Sequence, residues 1–200
     1  LAQARNGLVH ALAKLVESRE GESGSRLRRM EKYARCLAEE AARGAALGGQ
    51  LDSDFIDILV CCAPLHDIGK VGIPDSILLK PSALTSEEWG IMKQHPIYAS
   101  KVIGGIEHLK PAMDIPLYHH EKWDGSGYPR GLKGEQIPLA ARIFAVADVY
   151  DALMSDRPYR KSWSRDQTLE YIDAQADAHF DRDIVEKFLA IMRAEEENAN

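Results

Sequence analysis

No stretch of this 200-residue chain alternates apolar and polar residues convincingly with a period of two, whereas several repeat apolar residues at steps of three and four. That contrast limits the chain to helices, because a half-buried strand needs the short period and an amphipathic helix the long one. The clearest case is residues 25–43, where Leu27, Met30, Ala34, Leu37 and Ala41 make one stripe. In residues 3–19, Ala4, Leu8, Ala11, Leu12 and Leu15 make another, read as the inward face of a core or linker helix. Asp52 or Ser53 caps a helix from Phe55 to about Ile68, apolar nearly all round and therefore central. Pro64 lacks a backbone donor and predicts a kink one turn before His66. Thr85-Ser86-Glu87-Glu88 and Ser164-Arg165-Asp166-Gln167 are capping boxes that open two further helices. Pro96 suits the first turn of another, and residues 111–120 read as helical. Pro138 opens a long apolar helix through Met154. Phe180-Asp181 begins the last one, with Phe180 and Val185 spaced as a hydrophobic staple. Residues 71–84 and 121–137 are loops by their glycine and proline content. The fold class is an all-α bundle.

Composition narrows the function classes. A net charge of −6 and a pI near 5.7 argue against a nonspecific nucleic-acid binder. Cys36, Cys61 and Cys62 are odd in number and lack zinc-finger spacing, which reads as free thiols in a reducing, cytoplasmic compartment. No apolar run reaches ~18 residues, so no membrane insertion is expected. No signal peptide is visible. Leu1 is not a methionine, and residues 1–24 are read as an N-terminal helix and linker from an upstream region, with coupling and a homodimer contact as other roles open to them.

The chemistry centres on His66-Asp67-Ile68-Gly69-Lys70. Adjacent histidine and aspartate offer an imidazole nitrogen and a carboxylate oxygen to a metal such as zinc, manganese or iron, and Lys70 supplies a cation for a substrate anion. An isolated pair of this kind is common on surfaces, and its weight comes from the ligand-type residues further along the chain. His95 sits at a helix junction, His119-His120 ends a helix, and Asp148 is enclosed by Phe144, Ala145, Val146, Ala147, Val149 and Tyr150. A carboxylate in that setting needs a partner. Four imidazoles and two carboxylates exceed one four-coordinate site and suit two cations sharing a carboxylate. Such a pair, roughly 3.5–4 Å apart, binds a bridging hydroxide and both oxygens of a phosphodiester. Histidine with carboxylate favours iron or manganese over a thiolate-type zinc site. Arg157, Arg160 and Lys161 come after Asp148 on a basic loop suited to phosphate.

Residues 62–163 resemble the HD-GYP family of the HD phosphohydrolase superfamily, and the likeness extends more weakly over residues 25–190. It is carried by His66-Asp67-Ile68-Gly69-Lys70, Ile73-Pro74-Asp75, Leu79-Lys80-Pro81, Leu84-Thr85 and His95-Pro96. It continues through His119-His120-Glu121-Lys122-Trp123-Asp124-Gly125-Ser126-Gly127-Tyr128-Pro129 and Ile137-Pro138. It closes on Ala147-Asp148-Val149-Tyr150-Asp151-Ala152-Leu153 and Asp156-Arg157-Pro158-Tyr159-Arg160. The resemblance implies an HD-type helical bundle over residues 25–200 that hydrolyses the bacterial second messenger cyclic di-GMP to pGpG and often on to GMP. It implies two divalent metal ions held by His66, Asp67, His95, His119, His120 and Asp148, with Asp67 bridging. Lys70 would contact the scissile phosphate or protonate the leaving oxygen. Arg157 and Arg160 would hold phosphate, and Tyr128 would contact substrate. The loop around Tyr128 is implied as a surface for diguanylate cyclase (GGDEF) domains. Cyclic GMP-AMP is an alternative substrate. A degenerate receptor with slow turnover is the rival from another class.

One position departs from the family pattern. Ser23-Gly24-Ser25-Arg26-Leu27-Arg28-Arg29 aligns with a Thr-x-x-His-x-x-Arg pattern, so Arg26 stands where members commonly carry histidine. Some members use that histidine with a glutamate, near Glu22 here, for a third metal. A guanidinium has no lone pair to offer. The expectation is therefore two metals, with Arg26 beside the site or paired with an acidic neighbour.

Overall fold

The computed structural model describes residues 2–20, 25–44, 47–106, 113–156 and 161–197. Ten α-helices are described: α1 (Ala2–Glu20), α2 (Ser25–Arg43), α3 (Ser53–Cys62), α4 (Asp75–Leu78), α5 (Ser86–Met92), α6 (His95–Ile103), α7 (Asp114–Tyr118), α8 (Leu139–Met154), α9 (Arg165–Ala174) and α10 (Arg182–Glu197). Among these residues there is no strand, only an isolated bridge between Ala176 and Phe180. The all-α expectation holds, and both capping boxes form as read, on Thr85 with Glu88 and on Ser164 with Gln167.

Two apolar clusters flank the segment that carries His66. The larger joins α2, α3, α8, α9 and α10 through Met30, Leu37, Leu59, Phe144, Ile172 and Phe188. The whole α2 stripe is buried, as its spacing predicts. The smaller packs Val9 and Val16 of α1 against Cys61, Cys62, Leu65 and Ile68, and against Ala99 and Ile103 of α6. The α1 stripe is a correction. Val9, Ala13 and Val16 face inward, while Leu8 and Leu15 are 50% and 62% exposed. Both sides of α1 carry aliphatic residues, and docking geometry, with Arg19 donating to the Lys70 and Ile73 carbonyls at 3.0 Å, selects between them.

The third helix is shorter than its apolar run suggests. α3, capped by the Asp52 carboxylate on Phe55 N–H at 2.7 Å, ends at Cys62. Tighter 3₁₀ turns continue the chain over Ala63–Leu65 and Ile68–Gly72. Pro64 occupies the first turn of the former, where its missing N–H is not needed, so the kink becomes a change of helix type. His66 and Asp67 thus lie between two 3₁₀ turns instead of at the end of a long helix. Three smaller differences concern boundaries. The loop over residues 71–84 contains α4, residues 119–120 lie just past α7, and α10 starts at Arg182. Phe180 and Val185 are nevertheless both buried. Arg157 and Arg160 lie outside the described residues.

Gly69 couples this turn to α6. A Cβ there would lie 1.8 Å from the His95 carbonyl oxygen and 2.5 Å from Ala99 N, backbone atoms that cannot yield. Gly69→Ala is therefore expected to destabilise the fold by about 1–3 kcal/mol, and Leu15→Ala on the outer side of α1 by no more than about 0.5 kcal/mol. Urea unfolding of the two variants measures the contrast, and equal losses would place the α1 face wrongly.

Candidate metal centre

Three buried histidines are oriented by backbone at the starts and ends of helices. His66 Nδ1–H donates to the Ala63 carbonyl at 2.9 Å, His95 Nδ1–H to Met92 at 2.9 Å, and His119 Nδ1–H to Ile115 at 3.0 Å. Each carbonyl lies three or four residues upstream, so local helical geometry sets the ring orientation. With Nδ1 committed as a donor, Nε2 presents a lone pair. His95 Nε2 and His119 Nε2 are fully buried and have no hydrogen-bond partner. Together with His120 they bring three ligand atoms within 4.8 Å of one another. Orphaned buried nitrogens carry a desolvation cost that a cation removes. Burial holds His95 below the ordinary histidine range and, with His66 and His95 nearby, pushes His119 down to about 3. Burial and the neighbouring His119 and His95 keep His120 well below that range too. These rings remain neutral, the ligating form.

Asp67 stands between two of these histidines. Its Oδ2 is 3.1 Å from His66 Nε2 and its Oδ1 is 3.6 Å from His95 Nε2. When Nδ1 of His66 carries the proton, its Nε2 and the carboxylate are two acceptors face to face, an arrangement that asks for a cation between them. Burial opposes charge on His66, but Asp67 outweighs it and the imidazole is shifted up. Burial also opposes ionisation of Asp67, yet Lys70 and His66 hold it well below the usual carboxylate range. Lys70 Nζ is 3.0 Å from Asp67 Oδ2.

Asp148 finds its partner in Arg26. Arg26 Nη2 donates to Asp148 Oδ1 at 3.2 Å and lies 3.5 Å from His66 Nε2, while Nη1 is 3.7 Å from Asp67 Oδ2. Burial opposes charge on Asp148, and His66 and Arg26 lower its pKa despite that. The position beside the acidic residues matches the expectation for Arg26; Glu22 lies outside the described residues. Behind it, Asp151 takes a two-pronged contact from Arg29, Nε to Oδ1 at 2.6 Å and Nη2 to Oδ2 at 3.2 Å, which ties α2 to α8. Neither Arg29 nor Asp151 is among the sequence-derived candidates. Asp151 lies three residues after Asp148 in an apolar helix, a spacing that puts both carboxylates on one face and could have revealed it.

The loop after His120 is shaped by Glu121, which is 2% exposed. Its Oε1 accepts from Arg130 N–H at 2.7 Å and its Oε2 from Leu132 N–H at 3.0 Å. Gly127 packs so closely that a Cβ would lie 2.3 Å from Lys122 N. Tyr128 N–H donates to the His120 carbonyl at 3.1 Å, and the Tyr128 ring stacks on His120 at 4.7 Å. Burial pushes the Tyr128 phenol up, so it stays a donor at neutral pH. The role of Glu121 has no sequence signal beyond its place next to His119-His120.

The site thus unites His66, Asp67, His95, His119, His120 and Asp148 with Lys70 and Tyr128 beside them, an assembly of metal-ligating type with the cationic groups of Lys70 and Arg26 close by. A model of the HD domain family matches residues 10–184. A cyclic di-GMP phosphodiesterase of Vibrio cholerae is 45% identical over 194 residues, covering 94% of this chain and 39% of that protein. The cyclic di-GMP phosphodiesterase response regulator RpfG of Xanthomonas campestris is 45% identical over 180 residues, covering 89% and 46%. The 3'3'-cGAMP-specific phosphodiesterase 2 of Vibrio cholerae is 41% identical over 191 residues, covering 94% and 35%. The chain spans less than half the length of each of these relatives. Among solved structures, Bd1817, a HDG"Y"P protein from Bdellovibrio bacteriovorus, shares the fold with a TM-score of 0.62 over 96% of this chain and 65% of that one, at 17% identity. The chain belongs to the HD domain family, in its HD-GYP branch.

The carboxylate between the histidines gives a direct test. Asp67→Asn keeps the size and removes the charge, and is expected to lower the metal retained after loading with manganese or iron, measured by elemental analysis of desalted protein. A full wild-type complement in that variant would remove Asp67 from the ligand set.

Proposed function

We propose that this chain is a metal-dependent phosphodiesterase that hydrolyses cyclic di-GMP to linear pGpG, with onward cleavage to GMP left open. The observation that carries this reading is the convergence of four imidazoles and two carboxylates, with orphaned Nε2 atoms, at one buried centre bordered by Lys70. The names of the relatives support the substrate class. The proposed ligands are His66, Asp67, His95, His119, His120 and Asp148, for two iron or manganese ions with Asp67 shared. When bound, such ions supply Lewis acidity and a water that is acidic enough to attack at neutral pH.

The remaining roles belong to the chain. Asp67, ionised through Lys70 and His66, keeps negative charge between the histidines. Lys70, 3.0 Å from Asp67, is proposed to contact the scissile phosphate or to hand a proton to the departing ribose oxygen. Arg26 offsets the charge of Asp67 and Asp148 and offers no lone pair of its own to a further ion. Arg157 and Arg160 are proposed to fork onto phosphate oxygens, and Tyr128 to bind substrate. Residues 25–200 are proposed as the catalytic unit, with residues 1–24 as an N-terminal helix and linker. A cytoplasmic setting, GGDEF-domain partners at the Tyr128 loop and a homodimer belong to the same reading. Among the described residues, no helix is long and apolar enough to cross a membrane.

The likeness to a 3'3'-cGAMP-specific relative favours one second reading, in which 3'3'-cGAMP is the preferred substrate. Chromatography of both dinucleotides with manganese- or iron-loaded protein decides between them. Turnover that disappears with chelator and returns with metal is expected. Two bound metals without turnover of either substrate would replace the enzyme by a receptor. Lys70→Ala is expected to keep its metal and to lose about 2.7–4 kcal/mol of transition-state stabilisation, read from kcat; an unchanged kcat would return Lys70 to solvated charge. Elemental analysis of wild type is expected to give two ions per chain, and Arg26→His more than wild type. Three ions in wild type would contradict the role given to Arg26.

A further inference from the structure

α5 is unusual in that none of its residues is buried, yet it carries a tryptophan. Trp89 is 46% exposed, although tryptophan is normally well covered. Its backbone is held from behind: the Trp89 main-chain N–H donates to the Thr85 carbonyl at 2.8 Å, just after the capping box, and Glu88, the residue before it, is paired with Lys80 at 2.5 Å. One turn later Met92 supplies the carbonyl that orients His95. The indole is therefore carried by the same short helix whose end aims one of the candidate ligands.

Its ring neighbour is Tyr128, edge-on at 6.5 Å, and Tyr128 in turn stacks on His120 at 4.7 Å. Lys93 Nζ lies 6.0 Å from the Tyr128 ring centre. A row of rings thus leads from open solvent to the buried imidazoles, with an ammonium alongside. A half-exposed indole is a stacking platform for any purine, because every base offers a π-face.

We propose that Trp89 is a purine-stacking residue, with the base of a nucleotide lying on its exposed face and the phosphate directed past Tyr128 to the His95, His119 and His120 cluster. This rests on the phosphodiesterase reading for the identity of the substrate, but not for the stacking itself. Stacking does not distinguish guanine from adenine, so the subsite serves cyclic di-GMP and 3'3'-cGAMP alike.

Steady-state kinetics of metal-loaded protein, together with GMP binding followed by tryptophan fluorescence, tests the proposal. Trp89→Ala is expected to raise KM for both dinucleotides about tenfold, the scale of one lost base–aromatic stack, with a much smaller change in kcat. Trp89→Phe is expected to recover most of the affinity. GMP should quench wild-type fluorescence and lose that effect in Trp89→Phe, whereas the inhibition constant of inorganic phosphate should be the same in wild type and Trp89→Ala. An unchanged KM in Trp89→Ala, or GMP quenching that persists in Trp89→Phe, overturns the assignment. A fall in kcat with unchanged KM gives Trp89 a purely structural role and also overturns it. If wild type turns over neither dinucleotide, the phosphodiesterase reading fails, and GMP quenching with its loss in Trp89→Phe still decides the stacking role.

Discussion

Each of three buried imidazoles gives its Nδ1 proton to a carbonyl three or four residues behind it, and the rest of the centre depends on that bond. It fixes the tautomer, the ring plane and the direction of Nε2 with no need for a distant partner. It also explains why these histidines stand at starts and ends of helical segments, where a turn of backbone and a side chain can meet. His66 uses the 3₁₀ turn forced by Pro64, His95 the junction between α5 and α6, and His119 the last turn of α7. Gly69 then allows the first two of these supports to touch, because no side chain could fit between it and the His95 carbonyl.

Charge balance is the second constraint. Asp67, Asp148 and Asp151 gather close to one another, which without cations would be costly in a buried setting. Arg26 reaches all three, within 3.2–3.7 Å, and Arg29 completes the pairing of Asp151. The guanidinium stays charged at any relevant pH. α2 is therefore held to α8 by ionic contacts at the centre and by the apolar stripe along the rest of its length, so the same helix serves the core and the electrostatics of the site.

Much of this was legible in the sequence. The α2 stripe, the two capping boxes, the all-helical character and the six candidate ligand residues come from spacing and residue type alone. What was not legible depends on tertiary pairing. Leu8 and Leu15 compete with Val9 and Val16 for the inner side of α1, and periodicity does not choose between two aliphatic faces. Pro64 signals a disturbance, but not whether the helix bends or tightens. Glu121 reveals its part only through the amides of Arg130 and Leu132, nine and eleven residues on. Arg29 meets Asp151 across 122 residues, a pairing that no local pattern encodes.

The central claim is that His66, Asp67, His95, His119, His120 and Asp148 form one centre for two ions, with the Asp67 carboxylate between them. Anomalous scattering from crystals of manganese-loaded protein measures this directly. The expected result is two peaks roughly 3.5–4 Å apart, both within coordination distance of Asp67, with His66 at one and His95 at the other. A single peak on His95, His119 and His120 alone, or peaks remote from Asp67, would contradict the account.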